Sequence, residues 1–315
     1  MSAFVFVTPT WDAAPWAAAM RKVAPALDVR IWPDKGDVHD IHYAACWLPP
    51  ADVVKSFAYL KIIFSLGAGV DAILSDPTLP KHVPIVRVND DDLTNRMSEF
   101  IVMHVLMHHR QQLRLNENQR NGVWETFSQH AAKDITVGIM GLGILGQDAA
   151  TKLCVMGFHV RGWSRTAKVI DGVTSFVGPQ QLNDFLTGTD ILISLLPATL
   201  ETDGIINRDL ISKLSRRGPF GAPILINAGR GRQQNEDDVI ECLDNGTLYG
   251  ASLDVFRAEP LSDHSPLWHH PKLMISPHCA ADSKPATICA SIARQINSFE
   301  NGKMLQHQVD MRRGY

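Results

Sequence analysis

Three glycines, Gly141, Gly143 and Gly146, follow directly on the apolar run from Ile135 to Met140. A strand that ends in a tight glycine turn and opens a helix can bind a dinucleotide. The turn lets backbone N–H groups approach the pyrophosphate, and the helix N-terminus adds a favourable dipole. Gly141, Gly143, Ile144, Leu145 and Gly146 are therefore expected to hold a cofactor. In such units an acidic residue roughly 20 positions further on hydrogen-bonds the adenosine ribose. Here the second strand ends in Ser164, Arg165 and Thr166, with Lys168 just beyond and no carboxylate. A hydroxyl, a guanidinium and an ammonium suit a 2′-phosphate dianion, so NADP is expected, with NADPH preferred over NADH.

Three later segments fall where doubly wound folds place their sites, at the carboxyl ends of strands. They run from Asn227 to Gly231, from Asp254 to Pro260 and from Ser276 to Ala281. They hold an arginine framed by glycines, an acid before proline and a histidine after proline: Arg230, Glu259 and His278. An arginine, a carboxylate and a histidine in this fixed order make one constellation of chemical groups.

The elements that must position these groups are legible as alternation. Before the glycine turn, strand-like pieces (Phe4 to Val7, Val29 to Trp32, Tyr43 to Trp47, Ile62 to Ser65) alternate with helix-like pieces such as Trp16 to Val23. After it come His159 to Trp163, Asp190 to Leu196, Ile224 to Ile226, Gly250 to Asp254 and Leu273 to Ser276. Continuous apolar runs of this kind suit parallel strands covered on both faces. A long helix beginning near Thr94 reads as the bridge between two halves, and a last helix from about Ala286 to Glu300 as one that returns to the first. The expected fold is α/β: two doubly wound domains, Rossmann-like and flavodoxin-like, with parallel sheets and an active site in the interdomain cleft. Residues 1–102 plus 286–315 would form the substrate-binding domain and residues 103–285 the NADP-binding domain.

An apolar share of 45% beside 20% charged residues suits a globular chain with a sizeable core. A net charge of −3 without like-charge runs argues against nucleic acid and anionic membranes as partners. No apolar stretch approaches the ~20 residues of a membrane span, and the run from Ala3 to Val7 is too short for a signal peptide. Five cysteines, an odd number without a C-x-x-C pair, suit reduced thiols and a cytoplasmic location. His104 and His108 are spaced to clamp zinc, but matching cysteines or carboxylates are missing from the sequence around them. A solvated or interface face is expected for that pair, and no metal.

The order of Arg230, Glu259 and His278 resembles the D-2-hydroxyacid dehydrogenases. The likeness is strongest to one branch, the glyoxylate/hydroxypyruvate reductases of the A type. It extends through Cys46 to Pro50, Leu66 to Ile73, Ser164 to Thr166, Ser194 to Pro197, Glu259 to Leu261, Ser265 to Pro271 and Arg313 to Tyr315. The resemblance implies reduction of small 2-oxo acids, glyoxylate and hydroxypyruvate, to D-2-hydroxy acids with NADPH. Arg230 would bind the substrate carboxylate and polarise its carbonyl, His278 would act as general acid, and Glu259 would orient the ring and favour its charged form.

By the same resemblance, Leu66, Gly67, Ala68 and Gly69 would supply a substrate loop and Trp47 would line its pocket. Leu196, Pro197, Thr202, Ala228, Gly229, Asp254 and Ala280 would line the cofactor. The segment from about Met103 to Lys133 would embrace a second subunit, giving a homodimer. Two departures stand out: Cys279-Ala280 after His278, and Leu48 between Trp47 and the prolines. A nucleotide-sensing regulatory protein, or a family member with another 2-hydroxy acid as substrate, is the competing reading.

Overall fold

A computed structural model describes residues 2–311, 313 and 314. Met1, where the first domain was expected to start, and Tyr315, which ends the last motif, lie outside the described residues.

The chain divides into two compact units, residues 1–93 with 282–315 and residues 94–281. The first contains β1 (Ala3–Val7), α1 (Ala14–Val23), β2 (Asp28–Ile31), β3 (Ile41–Cys46), β4 (Ile62–Ser65), α2 (Asp71–Leu74) and β5 (Ile85–Arg87). Its five strands run parallel in the order β2-β1-β3-β4-β5, the flavodoxin-like order. Every residue of β1 and β4 is buried, as apolar runs covered on both faces must be.

The chain passes from the first unit to the second within the first turn of α3 (Asp91–His109), which is followed by α4 (Gln112–Arg120). Asp91 and Asp92 occupy the first turn of α3, where carboxylates oppose the positive end of the helix dipole. Met97, Phe100, Ile101 and Val105 recur at helical spacing and are buried in the second unit's core. That packing places the boundary at residues 93/94 rather than 102/103. The return boundary lies at 281/282 rather than 285/286.

The second unit continues with β6 (Thr136–Met140), α5 (Ile144–Val155), β7 (His159–Ser164), β8 (Val173–Val177), α6 (Leu182–Thr187), β9 (Ile191–Ser194) and α7 (Arg208–Ser212). It closes with β10 (Ile224–Asn227), α8 (Glu236–Asp244), β11 (Gly250–Leu253) and β12 (Leu273–Ile275). Seven parallel strands lie in the order β12-β11-β10-β9-β6-β7-β8. Strand alternation sends Ile191 and Ile193 to one core and Leu192 to the other, so each sheet face has its own apolar layer. The chain leaves β6 in one direction and returns at β9 on the other side, which makes β6/β9 the topological switch point where such sheets bind ligands.

The last helix, α9 (Pro285–Glu300), belongs to the first unit. Its Ile288, Cys289, Ile292 and Ile296 share a core with Trp16, Ala17 and Met20 of α1. Among the described residues no helix is long and apolar enough to cross a membrane.

Candidate active site

The glycine turn lies at the switch point. Gly141 has φ 102°, which an L side chain rarely adopts, and a Cβ there would stand 2.7 Å from the Leu195 carbonyl oxygen. The loops after β6 and β9 therefore touch through bare backbone. A Cβ on Gly146 would lie 2.0 Å from the Gly141 carbonyl oxygen, so the turn and the first turn of α5 also close on each other. Gly143 differs: a Cβ there would meet nothing within 4 Å. No side chain caps the N-terminus of α5. Open space in front of uncapped helix amides is what a pyrophosphate needs. The residues present fit a dinucleotide.

At the far end of β7, Ser164 is buried and donates to the Thr166 carbonyl, while Arg165 and Thr166 are exposed and Lys168 is half-buried. The fold brings one carboxylate here that strand reading does not supply. Glu201, from the loop after β9, lies 3.9 Å from Arg165. With side chains 39% and 77% exposed, the pair is an ordinary solvated ion pair, weak enough to yield to a phosphate. Thr202 ties the same loop together by donating to the Pro197 carbonyl at 2.7 Å.

The three chemical groups come from neighbouring strand ends. His278 Nδ1 and Glu259 Oε2 are 2.7 Å apart, and Glu259 Oε1 accepts from the Phe256 N–H at 2.9 Å. Burial opposes ionisation of Glu259. The His278 and Phe256 hydrogen bonds and the charges of His278 and Arg230 outweigh it and hold the carboxyl below the usual carboxylate range. Arg230 follows β10, and its Nη1 donates to the Gly229 carbonyl at 2.8 Å. The next residue, Gly231, lies so close to Phe256 that a Cβ would stand 1.9 Å from that residue's carbonyl carbon and oxygen. Glycine at 231 is what lets the arginine loop lie against the loop carrying Glu259.

His278 occupies the left-handed region, φ 52°, at a cost of about 1–2 kcal/mol for a non-glycine residue. Asp254 offsets it. Its backbone carbonyl accepts from the His278 N–H at 2.7 Å, and its carboxylate accepts from Ser276 Oγ, Cys279 N and Ala280 N at 2.6, 3.0 and 3.1 Å. Asp254 was expected to line the cofactor. The structure makes it first a clamp on the histidine loop, with three protein donors on its two oxygens. The Ala280 and Gly229 amides are likewise spent inside the protein, on Asp254 and Asn227, and the Ala228 amide on Ser194.

In the first unit, Ser65 Oγ lies 3.1 Å from the Gly67 carbonyl and 2.7 Å from that of Gly69. In a planar trans peptide the C=O and the following N–H point in opposite directions, so the amides of Ala68 and Val70 turn away from Ser65. Gly67 abuts Trp47: a Cβ would come within 2.4 Å of the indole ring. Leu66 does not belong with the substrate-facing residues. Its side chain is in the core, its N–H donates to the Cys46 carbonyl, and its own carbonyl accepts from Ser283.

A solvated face for His104 and His108 is overturned. Both are buried and share one hydroxyl, with His104 Nδ1 and His108 Nε2 at 2.8 and 2.9 Å from Ser252 Oγ. Phe100, Ile101 and Val105 turn that side of α3 onto the sheet and carry the histidines with them. Ser65, Ser252, Gln233 and Gln234 are buried hydrogen-bonding residues that sequence reasoning missed. The Gln233-Gln234 pair had a signal: two uncharged amides just after Arg230, before a helix whose first turn is acidic.

A glycine turn at a switch point, followed along the same sheet edge by an arginine, a carboxylate and an imidazole, defines a nucleotide-dependent oxidoreductase of the doubly wound class. The model of the D-isomer specific 2-hydroxyacid dehydrogenase NAD-binding domain matches residues 102–280. The glyoxylate/hydroxypyruvate reductase A of Enterobacter sp. (strain 638) is 40% identical, with 99% of each chain covered. Among solved structures, the NADPH-dependent glyoxylate/hydroxypyruvate reductase of Sinorhizobium meliloti, in complex with NADP and sulfate, is 45% identical with TM-score 0.96 and 100% of both chains covered. A probable 2-hydroxyacid dehydrogenase of Rhizobium etli, in complex with NADP, HEPES and L(+)-tartaric acid, is 43% identical with TM-score 0.93, covering 100% of this chain and 99% of its own. The chain belongs to the D-isomer specific 2-hydroxyacid dehydrogenase family.

Proposed function

We propose that the protein reduces small 2-oxo acids, glyoxylate and hydroxypyruvate, to D-2-hydroxy acids with NADPH. The observation that carries this reading is the pairing of Glu259 and His278 from neighbouring strand ends, with the Arg230 loop packed against the same acid-bearing loop. NADPH, when bound, supplies the hydride that adds to C2 of the substrate. Gly141, Gly143, Ile144, Leu145 and Gly146 would hold its pyrophosphate, and Ser164, Arg165, Thr166 and Lys168 its 2′-phosphate. Leu196, Pro197, Thr202, Ala228, Gly229 and Ala280 would line it, and Asp254 keeps a lone pair on Oδ2 for the carboxamide.

Arg230 takes the substrate carboxylate in its planar fork and draws electron density from the adjacent ketone. Glu259 occupies Nδ1 of His278, which leaves Nε2 to deliver the proton to the ketone oxygen. The product hydroxyl keeps that proton, and His278 is left neutral beside an ionised Glu259. Ala68 and its glycine neighbours offer amides to the substrate carboxylate, and Trp47 limits its size. A regulatory protein that only senses the nucleotide has no use for a proton donor, a carboxylate and a guanidinium in this order.

NADPH oxidation with glyoxylate and hydroxypyruvate, followed by loss of nicotinamide absorbance, tests the reading. Turnover with NADPH and far less with NADH is expected. Inactivity with every small 2-oxo acid would reject it.

We also infer a cytoplasmic homodimer. All five cysteines are free thiols, which suits a reducing compartment. Trp124 is 96% exposed beside an exposed Val123, on a segment without regular structure after α4. Its base is fixed by the Arg114–Glu125 ion pair and by Arg114 over the Phe127 ring at 4.1 Å. An ordered arm that ends in a bare indole suits burial against a second copy. Sedimentation should show a dimer that Trp124→Ser weakens, and a monomeric parent chain would reject it.

A further inference from the structure

Immediately after Arg230, the chain crosses the carboxyl edge of the second unit's sheet with two glutamines whose side chains are 0% exposed. Gln233 lies in a short 3-10 turn (Gly231–Gln233), and Gln234 is extended, with φ −103° and ψ 145°. Their side chains go to different loops. Gln233 Nε2 donates to the Leu196 carbonyl at 2.6 Å and the Pro197 carbonyl at 3.3 Å, while its Oε1 accepts from Ser194 Oγ at 2.8 Å. Gln234 Nε2 donates to the Val255 carbonyl at 2.9 Å, and its Oε1 accepts from Asn227 Nδ2 at 2.8 Å.

Asn227 closes the set. Its Nδ2 also donates to the Arg230 carbonyl at 3.2 Å, and its Oδ1 accepts from the Gly229 N–H at 3.0 Å. Ser194 and Asn227 are also 0% exposed. Both donors of Gln233 and both donors of Asn227 are therefore satisfied by protein acceptors in the buried interior. Removing any partner strands a buried polar group, which is why such networks admit one geometry.

We propose that Gln233 and Gln234 are positioning residues with separate duties. Gln234, through Asn227 and Val255, registers the Arg230 loop against the loop that carries Glu259. Gln233 registers the same turn against the Leu196–Pro197 loop and so acts on the cofactor side. Apolar side chains of similar size would pack in the same space, and neither amide needs to touch substrate or cofactor. The proposal rests on the function given above, in which Arg230 binds the substrate and the Leu196 loop lines NADPH.

The test uses Gln233→Leu, Gln234→Leu and Gln234→Glu in the full chain, with NADPH binding read by fluorescence and glyoxylate reduction read by kinetics. Gln234→Leu should raise the glyoxylate KM about tenfold and lower kcat, with NADPH Kd within about twofold of the parent. Gln233→Leu should do the reverse, raising NADPH Kd about five- to tenfold. Gln234→Glu should work when its buried carboxyl is protonated, because the acid O–H can donate to Val255 and its carbonyl can accept from Asn227. It should fail as rising pH ionises that carboxyl, since a carboxylate has no proton for the Val255 carbonyl. A chain that binds NADPH but reduces no 2-oxo acid rejects the function while leaving the Gln233 binding arm decisive. Equal changes in both constants for both leucine variants, or a parental pH profile for Gln234→Glu, would overturn the proposal.

Discussion

The second unit builds two imidazole clusters from the same chemistry and gives them opposite fates. His278 sits at a strand end, its side chain 34% exposed, against a carboxylate that stays ionised. His108 and His104 lie under the sheet against a neutral hydroxyl. Burial, with His104 adding to it, pushes His108 down to about 3, and His104 is lowered by burial even though the charge of Asp254 opposes it. One ring keeps access to solvent and a counter-charge, so it can carry a proton through a reaction. The other two are held neutral and act as struts between α3 and β11. Partner and exposure decide whether a histidine is a reagent or a brace.

Replacing the exposed ring should have the largest effect. His278→Ala is expected to lower kcat for glyoxylate about 10²–10⁴-fold, the usual worth of a positioned general acid, with NADPH binding close to that of the parent. Stopped-flow turnover and fluorescence titration together check it. Near-normal turnover would make His278 a second strut and dissolve the contrast.

Removing the counter-charge tests why the two clusters differ. Glu259→Gln should reduce kcat at neutral pH, because the ring loses the carboxylate that holds Nδ1 and turns Nε2 toward the ketone oxygen. The acid side has its own sign. Glu259 is held below its ordinary value of 4.5, so the pair's contribution is complete above that pH and is lost only as pH falls through the lower folded value. The parent should therefore keep an intact pair at mildly acidic pH. A kcat at neutral pH equal to the parent's would remove Glu259 from this role.

How much of this contrast the sequence discloses depends on what kind of force sets each part. Arg230, Glu259 and His278 are visible because each stands beside a glycine or proline that marks a strand end, and the glycine turn because its spacing is a backbone requirement. The long buried strands show as apolar runs. Two strands do not: β5 is three residues long inside a proline-bounded stretch, and β8 is an edge strand with Thr174 and Ser175 at its centre. The struts were misjudged for a different reason. His104 and His108 look polar on a helix wheel, and only the facing Ser252, 144 to 148 residues away in sequence, makes their burial affordable. Gln233 and Gln234 depend in the same way on carbonyls from other loops. Local periodicity carries elements and turns; it does not carry partners supplied by tertiary structure.

The buried cluster makes the smallest and most selective prediction. A histidine whose folded value lies below its ordinary 6.5 binds fewer protons folded than unfolded, so stability rises with pH through that window and is lost as pH falls from 6.5 toward 3. His108→Gln keeps a side-chain donor for Ser252 and removes the titration. The variant should show a shallower drop in melting temperature between pH 7 and pH 5 than the parent, a difference of about 2–4 °C if about 1 kcal/mol is involved. Its glyoxylate turnover at neutral pH should match the parent's. Differential scanning calorimetry across that range checks it. An unchanged pH slope would mean that the cluster tolerates a proton, and the line drawn here between reagent and brace would have to rest on access to solvent alone.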